Sequence, residues 1–295
     1  MKQTRRTIIK NLLVSGSALV AAPALSFASC TTVDDKNTKK GNINHSVCRW
    51  TYADLSLEEL CTTVKKIGFS AIDLVGPTEW NFLKKHGVDS SMCNGAEISL
   101  TEGFNDKQYH STLLKNYTEH IELVSKAGYK NLICFSGNKK GMDDETGLTN
   151  CAEGLKNLMS AAEKKGVVIQ MELFNSKVNH PDYMCDNTTW GIELCKRIGS
   201  PNFKLLYDIY HMQISEGDII RTITDHHQWF GHYHTAGVPG RNEINETQEL
   251  YYPAIMKAIV ATGYKGYVAQ EFIPTGKNKS DKIAALKNAI SICDV

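Results

Sequence analysis

One feature constrains this chain more than any other. Two hydrophobic periods alternate eight times between residues 43 and 295, with no break in composition. Short apolar runs closed by Gly or polar residues give way, each time, to apolar residues at helical spacing. The runs predict strands at 43–50, 71–75, 88–92, 131–135, 167–173, 203–208, 229–234 and 266–272. Between them, helices are expected from the Ser56/Glu59 capping box to 67, after Pro77 to about 86, and over 106–127, 148–165 and 187–198. Further helices are expected near 217–224, near 251–261 and over 280–292. The run at 167–173 (VVIQMEL) is continuously apolar, as in a parallel sheet covered on both faces. Eight β-then-α units in about 250 residues fit an α/β fold of the (β/α)8 TIM barrel type better than an open doubly wound sheet. No Gly-x-Gly-x-x-Gly turn follows the first strand, which weakens a dinucleotide-binding reading.

The first 29 residues differ in kind from the rest. They hold Lys2, Arg5, Arg6 and Lys10, no acid, and an apolar run from Leu12 to Leu25. The run is too short and weak for a stable membrane span. The Arg5–Arg6 pair ahead of it resembles a twin-arginine export signal, with an ordinary Sec signal as the alternative. Phe27-Ala28-Ser29-Cys30 resembles a lipobox, which makes Cys30 a candidate lipid anchor. Residues 30–42 are polar and aperiodic, as in a tether. The expected organisation is a signal over 1–29, a tether over 30–42 and a catalytic barrel over 43–295, in an exported, periplasmic protein. Removing the four amino-terminal cations from 33 Lys+Arg leaves 29 against 32 Asp+Glu, a net −3. That balance argues against a nucleic-acid partner. The cysteines show no C-x-x-C and no dense spacing, so they read as small buried apolar residues.

In a barrel of this type the active site lies at the carboxyl ends of the strands. Here the fifth predicted strand ends at Glu172, the sixth at Asp208, the seventh at His234 and the eighth at Glu271. Strand alternation lets all four point inward. Three carboxylates in one barrel mouth repel each other, so at least one pKa is expected to rise. A divalent cation removes the conflict. Oxygen-rich ligation with one imidazole suits Mn²⁺, Mg²⁺ or Co²⁺, with Zn²⁺ also open.

Several runs carry a resemblance. Tyr207-Asp208-Ile209-Tyr210-His211-Met212-Gln213, Gly231-His232-Tyr233-His234-Thr235-Ala236-Gly237-Val238-Pro239-Gly240-Arg241, Glu249-Leu250-Tyr251-Tyr252-Pro253 and Gln270-Glu271-Phe272 are similar to signatures of the hydroxypyruvate isomerase group. That group belongs to the xylose isomerase-like TIM barrels of sugar isomerases and epimerases. The resemblance is specific over about 167–275 and architectural over 43–166. It implies that Glu172, Asp208, His234 and Glu271 ligate the metal, that Glu172 and Glu271 move protons, and that His211 and Arg241 bind substrate. One position departs: the group carries Gln where this chain has His234, whereas the related ketose 3-epimerases carry His.

The implied chemistry is proton removal next to a carbonyl, giving an enediolate that a metal stabilises while one glutamate takes the proton and the other returns it. The leading expectation is an aldose–ketose isomerase of the hydroxypyruvate isomerase kind acting on a small hydroxy-carbonyl substrate. An epimerase of a ketose or keto-sugar is the alternative. An endonuclease IV-type phosphodiesterase and a non-catalytic sugar-binding lipoprotein rank below both. The sequence leaves a homo-oligomer open.

Overall fold

The computed structural model describes residues 40–295; the expected export signal, Cys30 and all but the end of the expected tether lie outside them. Eight parallel strands close into a barrel in sequence order. They are β1 (Asn44–Cys48), β2 (Ala71–Val75), β3 (Asp89–Cys93), β4 (Asn131–Cys134), β5 (Val168–Glu172), β6 (Phe203–Asp208), β7 (Phe230–Thr235) and β8 (Tyr267–Gln270). β8 returns to β1 with Ser46 opposite Ala269, so no strand edge is left unpaired.

Helices α1 (Leu57–Ile67), α2 (Trp80–His86), α3 (His110–Ala127), α4 (Asp144–Lys165) and α5 (Thr188–Ile198) follow the first five strands. α6 (Ile209–Ser215), α7 (Ile219–His226), α8 (Tyr252–Ala261) and α9 (Lys279–Cys293) complete the ring. The expected capping box is formed: the Ser56 hydroxyl accepts from the Glu59 amide, and Glu59 accepts from the Ser56 amide. α1 presents Leu60, Cys61 and Val64 to the sheet, and α3 presents Leu113, Tyr117, Ile121 and Val124. These apolar faces bury the outer surface of the strands and make the core. The eight cysteines within 40–295 are all free and buried among it, as their spacing implied.

Most boundaries shift by a residue or two from the sequence expectation, and a few shifts bear on the site. Trp50 belongs to a 3₁₀ turn after β1, not to the strand. α4 starts at Asp144 and not 148, because the Asp143 side chain caps it through the Thr146 amide. β7 continues one residue beyond His234, and β8 ends at Gln270, one before Glu271. An unexpected helix, α6, leaves β6 with no intervening loop.

β7 carries a bulge that positions the site. Its register with β6 jumps from Leu205↔Phe230 to Leu206↔His232, so Gly231 is the extra residue. Beyond the bulge, His234 lies opposite Asp208 on β6 and Ala269 on β8. A Cβ at Gly231 would lie 2.7 Å from Gln170 Oε1, so the side chain of β5 occupies the space that glycine leaves.

Candidate active site

Glu172 ends β5, Asp208 ends β6, His234 is the penultimate residue of β7 and Glu271 follows β8. One ligand atom from each lies within 4.8 Å of the others, and all four side chains are buried. The four sequence-predicted ligands are therefore brought together. His234 Nδ1 is 3.0 Å from Glu172 Oε1 and 3.0 Å from Glu271 Oε2. The indole N–H of Trp50 donates to Glu271 Oε1 at 2.8 Å.

Arg241, expected to meet substrate, sits at the mouth with a different partner. Its Nη2 donates to Glu271 Oε2 and lies 3.7 Å from Asp208 Oδ2. The guanidinium stacks over Trp50 at 5.2 Å and Tyr210 at 5.6 Å. Its backbone is left-handed at φ 59°, a costly conformation for a non-glycine residue, of the kind found where a side chain must be aimed.

His211, also expected to meet substrate, is fully buried behind Asp208. Its backbone N–H donates to Asp208 Oδ1 at 3.0 Å, which makes Asp208 both strand end and cap of α6. Asn175 Nδ2 lies 2.6 Å from His211 Nδ1, and His211 Nε2 lies 3.7 Å from Asp208 Oδ2. These contacts match the role of a partner that orients Asp208.

The electrostatics separate the two glutamates. Burial pushes the Glu172 carboxyl up to about 8, against the pull of His234. Burial also raises Asp208, to about 6, with Arg241 opposing it. Glu271 feels the same burial, but Arg241 and His234 outweigh it and hold the carboxyl well below its usual range. Burial disfavours the charged form of His234, yet Glu271, Cys48 and Glu172 hold its pKa well above the ordinary imidazole value. At least one raised carboxyl was expected; two are raised, chiefly by burial, with repulsion from the neighbouring carboxylates adding to it.

The donor set fits a divalent cation. Asp208 Oδ2 is buried and has no hydrogen-bond partner, and Asp208 is one of the four clustered residues. Three carboxylates and one imidazole converge from four consecutive strands, as hard or borderline dications require.

One residue that the sequence reading missed lies beneath this cluster. Asp73, in the middle of β2, places Oδ1 at 2.9 Å from His234 Nε2 and Oδ2 at 2.8 Å from His232 Nε2. The Ser91 hydroxyl donates to Asp73 Oδ2 at 2.6 Å. Burial would raise the Asp73 pKa, but His232 and His234 outweigh it and hold the carboxyl ionised. The available signal was a single acid inside the apolar strand AIDLV.

A cavity of about 500 Å³ opens above the cluster. Glu172, Glu271 and Arg241 line one side. Leu74, Ile98 and Leu100 form apolar wall, with Asn94, Glu97 and Ser99 among them.

Known proteins place this architecture. The 2-oxo-tetronate isomerase of Cupriavidus necator is 34% identical over 122 residues, covering 41% of this chain and 46% of that protein. The hydroxypyruvate isomerase of Escherichia coli is 30% identical over 158 residues, covering 52% and 59%. The chain thus spans about half the length of these curated relatives. A crystal structure titled as an AP endonuclease of family 2 from Brucella melitensis superposes with TM-score 0.72 at 21% identity, covering 84% of this chain and 97% of that one. This last likeness concerns the fold. The sequence profile of the family described as "Xylose isomerase-like TIM barrel" matches residues 61–289, and the chain belongs to that family.

Proposed function

We propose that the protein is a divalent-metal-dependent isomerase that moves a proton on an α-hydroxy carbonyl substrate, in the manner of a hydroxypyruvate isomerase. The observation that carries this reading is the Glu172/Glu271 pair. Both carboxyls lie 3.0 Å from the same imidazole nitrogen, yet their environments push the pKa values in opposite directions. Two titratable groups held apart in this way are suited to opposite roles in proton transfer. Glu271, ionised and fixed by Trp50 and Arg241, takes the proton from the carbon next to the carbonyl. Glu172, which holds its proton to higher pH, returns one at the neighbouring carbon. Asp208 and His234 complete the ligand set, and His211 holds Asp208. A bound Mn²⁺ or Mg²⁺ supplies electrostatic stabilisation for the negative charge that develops on the substrate oxygens.

A second reading, epimerisation of an uncharged keto-sugar, is favoured by the cavity. Arg241 is the one Lys or Arg among the cavity residues, and it is already paired with Glu271 and Asp208. Glu97, also in the cavity wall, adds negative charge where a keto-acid would bring more. At about 30 Å³ per water-sized volume, a 500 Å³ cavity is also far larger than a three-carbon acid needs.

Exchange of the α-proton in deuterated water, with Mn²⁺ present, tests both. Exchange is expected in the native protein. Glu172→Gln and Glu271→Gln should each reduce it by about 10²–10⁴-fold. Native-like exchange in both variants would remove the glutamate mechanism. Conversion of hydroxypyruvate to tartronate semialdehyde selects the first reading. Exchange confined to keto-sugars selects the second. We also propose a periplasmic location, on the amino-terminal sequence alone.

A further inference from the structure

We infer that Asp73 is a positioning residue that fixes the ring of His234, so that Nδ1, and not Nε2, is offered to the metal. The inference rests on the metal-site reading above. Imidazole has two nitrogens, and a histidine ligand is defined only when something decides which of them keeps its hydrogen. In this barrel the two nitrogens of His234 face different surroundings. Nδ1 points at Glu172 and Glu271, within the four-ligand cluster. Nε2 points the other way, to Asp73 Oδ1 at 2.9 Å, with the Cys48 sulfur at 4.0 Å. A carboxylate accepts and does not donate, so this contact requires the hydrogen on Nε2. The lone pair then falls on Nδ1 when a cation displaces its proton.

Asp73 is itself held firmly. His232 Nε2 lies 2.8 Å from its other oxygen, and Ser91 donates to that same oxygen at 2.6 Å. The residue has no exposure to solvent and is not among the residues that line the cavity. A carboxylate buried this deeply is costly unless its partners offset the loss of water. The backbone around it is also unusual. The β2–β3 register shifts on both sides of Asp73, and the next residue, Leu74, is left-handed at φ 56°. Such a conformation for a branched, bulky side chain costs free energy and marks a constrained place. One consequence of the shift is visible: Leu74 lines the cavity while its neighbour Asp73 reaches His234. The arrangement is a carboxylate–imidazole–metal relay spanning the barrel from β2 to β7.

The test is Mn²⁺ affinity by titration calorimetry, arranged as a double-mutant cycle on the full chain. Asp73→Asn should weaken Mn²⁺ binding by about 10–100-fold in the native background, as loss of such partners generally does. Glutamine has no ring and no tautomer to select, so in a His234→Gln background the same change should alter affinity by less than about twofold. A second measurement needs no variant. In ¹⁵N-histidine spectra of the Zn²⁺-loaded native protein, His234 should have metal on Nδ1 and hydrogen on Nε2. Equal losses in the two backgrounds, unchanged affinity in Asp73→Asn, or the reverse nitrogen assignment would each overturn the inference. Native protein that binds neither ion would overturn the metal-site reading, and this inference with it.

Discussion

Glu172 shows how a single side chain couples the site to stability. Its pKa is raised from 4.5 to about 8, so the folded protein holds this proton more tightly than the unfolded chain does. That stabilisation is complete below about 4.5 and is lost as pH rises through about 8. With chelator present, the native protein is therefore expected to melt at a lower temperature at pH 8.5 than at pH 5.5. Glu172→Gln should show a smaller drop, measured by melting at each pH; an equal drop would assign the effect elsewhere. The four proposed ligand positions stand out in the sequence because each is a polar residue closing an apolar strand. Asp73 was not, because its meaning depends on His234, 161 residues later in the chain. His211 and Arg241 were legible as members of the site; whether each meets substrate or another site residue was not. Sequence spacing says where a side chain is attached; it does not say whether Arg241 turns toward a ligand or toward Glu271.

Elements were legible where local chemistry decides them. Ser56 with Glu59, followed by an apolar period and Gly68, gives α1 its observed limits. α6 was hidden for a physical reason. Its cap is Asp208, a residue that also belongs to the candidate ligand cluster, and the helix begins where the strand stops. The start of α4 was hidden because Asp143 caps a polar first turn that breaks the apolar period. Asp143→Ala should cost about 1 kcal/mol, seen as a lower midpoint in urea with an unchanged slope. The β7 bulge is a stronger test. Gly231→Ala puts a methyl 2.7 Å from Gln170 Oε1 and 2.9 Å from Lys204 Cβ. The cost should be about 1–3 kcal/mol, as for other overpacked interiors. Because the bulge sets the phase of His232 and His234, Mn²⁺ affinity should fall as well; a variant with native affinity would separate the bulge from the site.

At the scale of the molecule, the barrel was legible because its eightfold alternation admits few closed solutions. What period alone does not supply is the way opposite walls touch. The proposed ligands come from β5 to β8, while Asp73 and Trp50 reach the same cluster from β2 and the turn after β1. A bound dication would therefore tie half of the barrel together. Mn²⁺ at about 100 times its dissociation constant should add about 2.7 kcal/mol to stability. For a chain of this size that corresponds to a rise in melting temperature of roughly 5 °C, reversed by chelator. A melting temperature indifferent to Mn²⁺ would argue against a ligand set built for it.

The buried cysteines have a practical corollary. Each of the eight thiols within 40–295 is shielded, and burial raises the pKa of Cys61, Cys93, Cys151 and Cys293, among others, disfavouring the reactive thiolate. An intact barrel therefore offers alkylating or oxidising reagents almost nothing to attack. Labelling of these eight thiols must wait for the cylinder to come apart, so their rate in native buffer is a clock for its opening, read without denaturant or heat.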